Sequence, residues 1–398
     1  MKIAFHTLGC KVNQYETEGL KENFKKAGHE VVPDTEFADA YVINTCTVTN
    51  LADRKSRQFI RRARAINPDA AIAVTGCYVQ VAPEEVAAIE GVDIIAGTNE
   101  KSAMVSLVEE YIKDGSKIRQ VKSYEELDTY EEIGTITSME SRTRAYIKIQ
   151  EGCDRFCSYC IIPFARGSVR SRRPSEILKE AESLVRAGFK ELILTGINAA
   201  LYGTEQGFVC DIDDTDIENM HGIEIIIHLL DKMPGDFRIR LSSLEPTAVN
   251  SDYVKRLLEY DRLCHHLHLS IQSGSSSIIS AMNRNYTRED YLDIVKVLRD
   301  KDLHYGITTD IIVGFPGETD EDFADSMNMV READFLKVHA FQYSKRKGTA
   351  AALMDNQIEP QIKKSRSAAL IAEADRVSKE FMTACTGEIR QVLFEETD

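Results

Sequence analysis

Apolar positions fall into short unbroken runs, each ending at a glycine-, threonine- or asparagine-containing loop and followed by a stretch of helical period. Over the first 118 residues, the runs at 2–5, 40–43, 71–74 and 92–95 read as buried strands. Helical patterns lie at 16–27 (ended by Gly28), at 54–64 and near 83–89. Continuous apolar strands alternating with helices predict a small doubly wound parallel sheet. The rhythm restarts at residue 143, with strands expected at 145–150, 191–195, 237–241, 266–271, 306–313 and 335–342. Helices fall between them, the clearest at 174–187. Six such units predict an incomplete (β/α)6 barrel, open enough for a large substrate. The fold class expected is therefore α/β. A sheet domain (1–118) leads through an acid-rich, aperiodic linker (119–141) to the barrel (142–375). A long charged helix at 363–383 belongs to the end of that region. The last stretch (376–398) finishes in TGEIRQVLFEETD, a turn and one strand. A lone strand cannot stand by itself, so it reads as the start of a truncated β domain.

The composition, 43% hydrophobic and 28% charged over 398 residues, is that of a soluble globular protein. No apolar run has membrane-spanning length and the N-terminus lacks a signal-peptide pattern, so the expectation is a cytoplasmic protein with no membrane partner. A net charge of −15 argues against broad non-specific nucleic-acid binding. Locally the sign reverses. RKSRQFIRRAR (54–64) carries six basic residues and no acid, with Arg54, Arg57, Arg61 and Arg64 on one helical face. This is either a solvated face or a phosphate-binding surface.

Nine cysteines in a reducing compartment favour metal or redox chemistry over disulfides. Cys153, Cys157 and Cys160 form a C-x3-C-x2-C array on the loop leaving the strand at 145–150, the active-site side of a barrel. Three thiolates suit a cube with one open iron. A zinc knuckle would need a distant fourth ligand such as Cys210 or Cys264. Cys10, Cys46 and Cys77 each follow a strand of the first sheet. Parallel strands present their carboxyl ends on one edge, so these three are expected to converge as a second cluster site. The alternative is three unrelated buried thiols. His266 and His268 read as histidines packed inside the barrel, and the DxDD within 209–221 lacks the rest of a calcium loop.

CDRFCSYCIIPFARGSVRSR, with Tyr159 just before the last cysteine, resembles the motif of the radical S-adenosylmethionine (SAM) methylthiotransferases. TGIN (195–198), SSLEP (242–246), QSGS (272–275), GFPGET (314–319) and FQYSKRKGT (341–349) extend the resemblance over essentially the whole chain. It implies a 4Fe–4S cluster on Cys153, Cys157 and Cys160 whose open iron binds SAM and cleaves it to a 5′-deoxyadenosyl radical. Tyr159, Gly196, Asn198, Glu245, Gln272, Gly314 and Phe341 are then the residues lining the SAM pocket. It implies a second 4Fe–4S cluster on Cys10, Cys46 and Cys77, carrying the sulfur to be transferred. The C-terminal stretch resembles the start of the family's TRAM-like, tRNA-binding β-barrel.

Implied partners are the tRNA anticodon loop, a flavodoxin- or ferredoxin-type electron donor and a sulfur source. TLGCKVNQYETE and NTCTVTNLADRKSRQ resemble the branch that modifies N6-threonylcarbamoyladenosine in tRNA, and Lys11 after the first cysteine agrees. That substrate carries a carboxylate, for which Arg166, Arg170, Arg172 and Arg173 are the expected partners; Arg54, Arg57, Arg61 and Arg64 are expected on phosphates. NAALYG (198–203) departs from the family pattern by replacing a glycine pair with Ala200 and Leu201. The competing readings are a methylthiotransferase acting on a ribosomal-protein aspartate and a non-catalytic iron–sulfur sensor.

Overall fold

The computed structural model describes residues 1–134, 136 and 143–395. The chain divides into two compact units. The first runs from Met1 into the linker and also takes in Gln150–Asp154 and Cys160–Arg172; the second holds the remainder.

In the first unit, β1 (Lys2–Thr7), α1 (Lys11–Lys26), β2 (Glu30–Val32), β3 (Ala40–Thr45) and α2 (Asn50–Ile66) come first. They are followed by β4 (Ala71–Gly76), α3 (Cys77–Val81), α4 (Pro83–Ala87), β5 (Ile94–Ala96), α5 (Met104–Asp114) and β6 (Ile118–Gln120). The strands form one parallel sheet in the order β2-β1-β3-β4-β5-β6. β3 and β4 are buried along their whole length, as expected for a parallel sheet covered on both faces. Alternate residues serve opposite layers. Tyr41, Ile43, Ile72 and Val74 pack with Phe59, Ile60 and Ala63 of α2. Ala40, Val42, Ala71 and Ala73 pack with Leu20 and Phe24 of α1 and with Met104, Leu107 and Val108 of α5. The Thr49 side chain caps α2 by accepting from the Ala52 N–H.

Strand β7 (Arg144–Glu151) follows, then α6 (Ile162–Arg166), β8 (Arg170–Ser171), α7 (Pro174–Arg186), β9 (Glu191–Gly196) and α8 (Ile223–Asp231). Next come β10 (Arg238–Leu241), β11 (Ser243–Leu244), α9 (Ser251–Leu257), β12 (His266–Leu269), α10 (Ser276–Ala281) and α11 (Arg288–Lys301). The chain continues through β13 (Gly306–Val313), α12 (Asp320–Glu332), β14 (Lys337–Gln342) and α13 (Pro360–Ala384). In the second unit β7, β9 and β10 are sheet neighbours, and a parallel bridge from Ile239 to Leu263 leads on towards β12-β13-β14. The six expected strands are thus met in sequential order, the arrangement of an incomplete (β/α)6 barrel. Capping boxes at Thr287/Asp290 and Thr319/Asp322 start α11 and α12.

The structure differs from the sequence expectations mainly at the margins. β2 and β6 were not legible because three-residue edge strands (EVV, IRQ) carry no pattern. α1 begins at Lys11, directly after extended Cys10, so the first cysteine sits at a helix start. Of the linker, residues 135 and 137–141 lie outside the described residues. Its described part buries Leu127, Ile133 and Ile136, which ties it to the first unit. The strand expected after α13 is absent among the described residues, 385–395 having only a turn; 396–398 lie outside them. No helix among the described residues is long and apolar enough to cross a membrane.

Gly152, immediately before Cys153, has φ +76°, and a Cβ there would stand 1.7 Å from the Ser168 carbonyl oxygen. Gly152→Ala is expected to lower stability by about 3–5 kcal/mol. Gly207→Ala, equally left-handed but with open space around it, should cost only about 1–2 kcal/mol. Denaturant unfolding of both variants checks the difference.

Candidate functional site

The first unit brings one set of thiols to one sheet edge. β1, β3 and β4 are adjacent and parallel, with Thr7 opposite Asn44 and Thr45 opposite Gly76. Cys46 and Cys77 follow directly after β3 and β4, and Cys10 comes three residues after β1. Cys46 and Cys77 are buried, whereas Cys10 is exposed. A Cβ on Gly76, where φ is +97°, would lie 2.5 Å from the Thr45 carbonyl oxygen, so only glycine lets Cys77 turn in this close to β3. Burial, together with the neighbouring Cys77 sulfur, pushes the Cys46 thiol up to about 12. Thiols set this close become thiolates together only against a cation. This soft, crowded donor set fits an iron–sulfur cluster.

Arg166 of α6 is fully buried against this set. Its Nε donates to Cys77 Sγ at 3.2 Å, Nη1 to Glu16 and Glu151 at 2.5 Å each, and Nη2 to Asn13 Oδ1 at 2.6 Å. Lys101, also fully buried, stands 3.3 Å from Glu16. Burial works against the Arg166 charge, but Cys77, Glu16 and Glu151 outweigh it and hold its pKa above the ordinary value.

In the second unit the residues expected around SAM gather at strand ends. Glu245 is buried; it accepts from Arg155 Nε at 3.0 Å, from Asn198 Nδ2 at 2.9 Å and from Thr247 Oγ1 at 3.2 Å. Tyr159 Oη accepts from Arg284 Nη2 at 3.0 Å. Gln272 lies just past β12 with φ +70°, its N–H on the Asp310 carbonyl and its own carbonyl accepting from Ile312. Gly196 ends β9 and Phe341, on β14, is half-exposed. Gly314 has φ +71°, and its missing Cβ makes room for Lys363 of α13, whose Cγ would come within 2.4 Å.

Sequence reasoning passed over Arg284 and Phe156. The Arg284 guanidinium stands 3.8 Å from Glu245, contacts Tyr159 and Tyr286, and leaves a buried Nε with no hydrogen bond. Burial opposes its charge, but Tyr159, Tyr286, Cys157 and Glu245 sustain it. Phe156, between Cys153 and Cys157, is exposed at φ +46°, its carbonyl accepting from Asn283 Nδ2 at 3.0 Å. An aromatic held in that region signals a constrained loop.

The arginines expected on ligands separate sharply. Arg166 is engaged as described. Arg170 is buried and donates to the Leu127, Arg166 and Ser168 carbonyls; Arg172 is buried on Glu132 and Tyr15. All three are engaged inside the protein, and the expectation that they meet a substrate carboxylate is corrected. Buried acids hold Arg166, backbone carbonyls hold Arg170, and the exposed Glu132 reaches in to Arg172. Arg173 stays exposed. On α2, Arg54 and Arg61 are exposed, as is Arg62, while Arg57 is bound to Tyr78 and Glu85. Arg64 is bound to Asp93 and to the Gly91 and Ala70 carbonyls.

The remaining metal-type residues are already partnered. His266 and His268 share the Thr308 hydroxyl, His268 also meeting Asp310 at 3.1 Å. Asp214 and Asp216, near His228, are bridged by Lys232 at 2.8 and 2.9 Å. Cys264 leans on Glu191, and Cys210 on the Ile212 carbonyl.

Arg166→Met would strand two buried carboxylates and is expected to destabilise by about 3–5 kcal/mol. Arg173→Glu should change stability by no more than about 0.5 kcal/mol. Chemical denaturation of the apo-protein measures both.

Residues 147–330 match the model of the radical SAM superfamily, and residues 2–97 match the uncharacterized protein family UPF0004. The chain is 43% identical to the threonylcarbamoyladenosine tRNA methylthiotransferase MtaB of Bacillus subtilis, covering 99% of this chain and 85% of that protein. Against the protein of the same name from Thermotoga maritima the identity is 38%, over 99% and 86%. With the tRNA-2-methylthio-N(6)-dimethylallyladenosine synthase of Alkaliphilus oremlandii it is 34%, over 99% and 82%. Among solved structures, the radical SAM methyltransferase TsrM of Kitasatospora setae shares the fold. Its TM-score is 0.64 at 13% identity, covering 88% of this chain and 74% of that one. The chemistry of these enzymes runs on SAM and 4Fe–4S clusters. The chain belongs to the MtaB-type radical SAM methylthiotransferase family.

Proposed function

We propose that this protein converts N6-threonylcarbamoyladenosine, in the tRNA anticodon loop, to its 2-methylthio derivative. The observation that carries the substrate is the fall in identity from 43% with an enzyme named for threonylcarbamoyladenosine to 34% with one named for dimethylallyladenosine. Lys11 after the first cysteine supports the same choice.

In this reading Cys153, Cys157 and Cys160 bind the cluster that holds SAM, and Cys10, Cys46 and Cys77 bind the second. When bound, these groups supply the one-electron chemistry at C2 of the adenine and the sulfur delivered there. The protein's share is to bind, orient and keep water out. Glu245, fixed by Arg155 and Asn198, takes the SAM amino group or a ribose hydroxyl. Arg284, with its spare Nε, takes the SAM carboxylate as a charge-assisted donor. Tyr159, Gly196, Gln272, Gly314 and Phe341 line the remainder. Arg173, the exposed member of its loop, pairs with the carboxylate of the threonylcarbamoyl group. Arg54 and Arg61, with Arg62 beside them, meet tRNA phosphates. A flavodoxin- or ferredoxin-type donor and a sulfur source complete the partners, all in the cytoplasm.

Arg284→Met is expected to weaken SAM binding by at least about tenfold, as loss of a charge-assisted bond of about 1.5–3 kcal/mol implies. Calorimetric titration of the reconstituted protein with SAM reads this directly. For the substrate, modified nucleosides of tRNA from a strain lacking the gene are compared, by mass spectrometry, with those after its restoration. Methylthio-threonylcarbamoyladenosine should appear only on restoration. A methylthio group returning on dimethylallyladenosine instead, or on no tRNA nucleoside, defeats the assignment.

A further inference from the structure

The three thiols at the sheet edge of the first unit share one buried partner. Arg166 reaches Cys77 directly, Nε to Sγ at 3.2 Å. Its Nη2 holds Asn13 Oδ1 at 2.6 Å, and Asn13 Nδ2 donates to the carbonyls of Leu8 at 2.7 Å and Thr45 at 3.0 Å. Those carbonyls lie two residues before Cys10 and one before Cys46. One guanidinium therefore touches one thiol and, through a single amide, steadies the backbone leading into the other two. Two carboxylates fix its remaining donors, Glu16 on Nη1 and Nη2 and Glu151 on Nη1, so Nε stays aimed at sulfur.

We propose that Arg166 is the positioning residue of the cluster held by Cys10, Cys46 and Cys77, and that its Nε–H bond to Cys77 raises that cluster's reduction potential. The proposal rests on the assignment of a cluster to these three thiols. Accepting one electron makes the cluster and its thiolates more negative by one charge. A donor on a ligand sulfur stabilises that state more than the oxidised one. Burial magnifies the difference, because water screens neither partner. Around the site Arg166 and Lys101 face Glu16 and Glu151, all four side chains being fully buried. The Arg166 guanidinium is the charged group that donates directly to the Cys77 sulfur. A lysine at 166 keeps the charge but has no Nε–H held in a planar fork.

The test uses the full chain with Cys153, Cys157 and Cys160 replaced by alanine, so that one cluster remains. Dithionite titration followed by EPR gives its midpoint with Arg166 and with Arg166→Lys. At equal iron content, the lysine variant should be about tenfold less reduced at a fixed potential, a midpoint about 59 mV lower for one electron. A second measurement leaves the native side chain in place. With guanidino-15N-arginine incorporated, pulsed EPR of the reduced cluster should show a weak 15N coupling that Arg166→Lys removes. An unchanged midpoint or a missing 15N coupling overturns the proposal while leaving the cluster assignment intact. Iron and EPR signal that survive Cys10, Cys46 and Cys77→Ala in the same background overturn the assignment itself.

Discussion

Four ionisable side chains without solvent contact, Glu16, Lys101, Glu151 and Arg166, lie at the centre of the first unit. Each alone would cost several kcal/mol to bury as an ion, and none could remain charged without the others. Opposed two against two they are tolerated, and they join segments far apart in sequence: α1, the start of α5's approach, the end of β7 and α6. Buried ion knots contribute little net stability but punish rearrangement, since moving one member abandons the rest. The cysteine loops inherit that rigidity. Asn13, held by Arg166, secures the backbone at Leu8 and Thr45, and Asn44 donates in turn to the Asn13 carbonyl.

The parallel sheet explains why cysteines so distant in sequence come to one sheet edge. Neighbouring strands running the same way must deliver their following residues to the same edge. The register Thr45 opposite Gly76 brings Cys46 and Cys77 off that edge side by side. The second unit applies the same rule with other chemistry: Gly196, Glu245, Gln272 and Gly314 all lie at or just past strand ends. Rigid strands thus fix positions, while short loops supply the reactive groups.

Strand-end placement is also why so much could be read before any coordinates. Most of the long strands follow from apolar runs, and four cysteines, Cys10, Cys46, Cys77 and Cys153, come just after such runs behind a glycine or threonine, a local pattern. The strand expected at 306–313 coincides with β13, GITTDIIV, whose β-branched residues suit a strand. What stayed hidden was non-local. β2 and β6 exist because a neighbour offers its backbone, not because three residues specify a strand. Arg284 reaches Tyr159 only because α10 and its turn carry it there, and nothing in SAMNRNYT announces that.

The loop ARGSVRSRR makes the limit concrete. Its arginines look equivalent in sequence, and a run of positive charge ordinarily means a solvated or ligand-facing surface. Three of the four end up inside where acceptors meet them: Glu16 and Glu151 for Arg166, Glu132 for Arg172, and the Leu127, Arg166 and Ser168 carbonyls for Arg170. An arginine goes inside where its planar fork finds several acceptors at once, which lysine's point charge does not exploit. Arg173 stays at the surface.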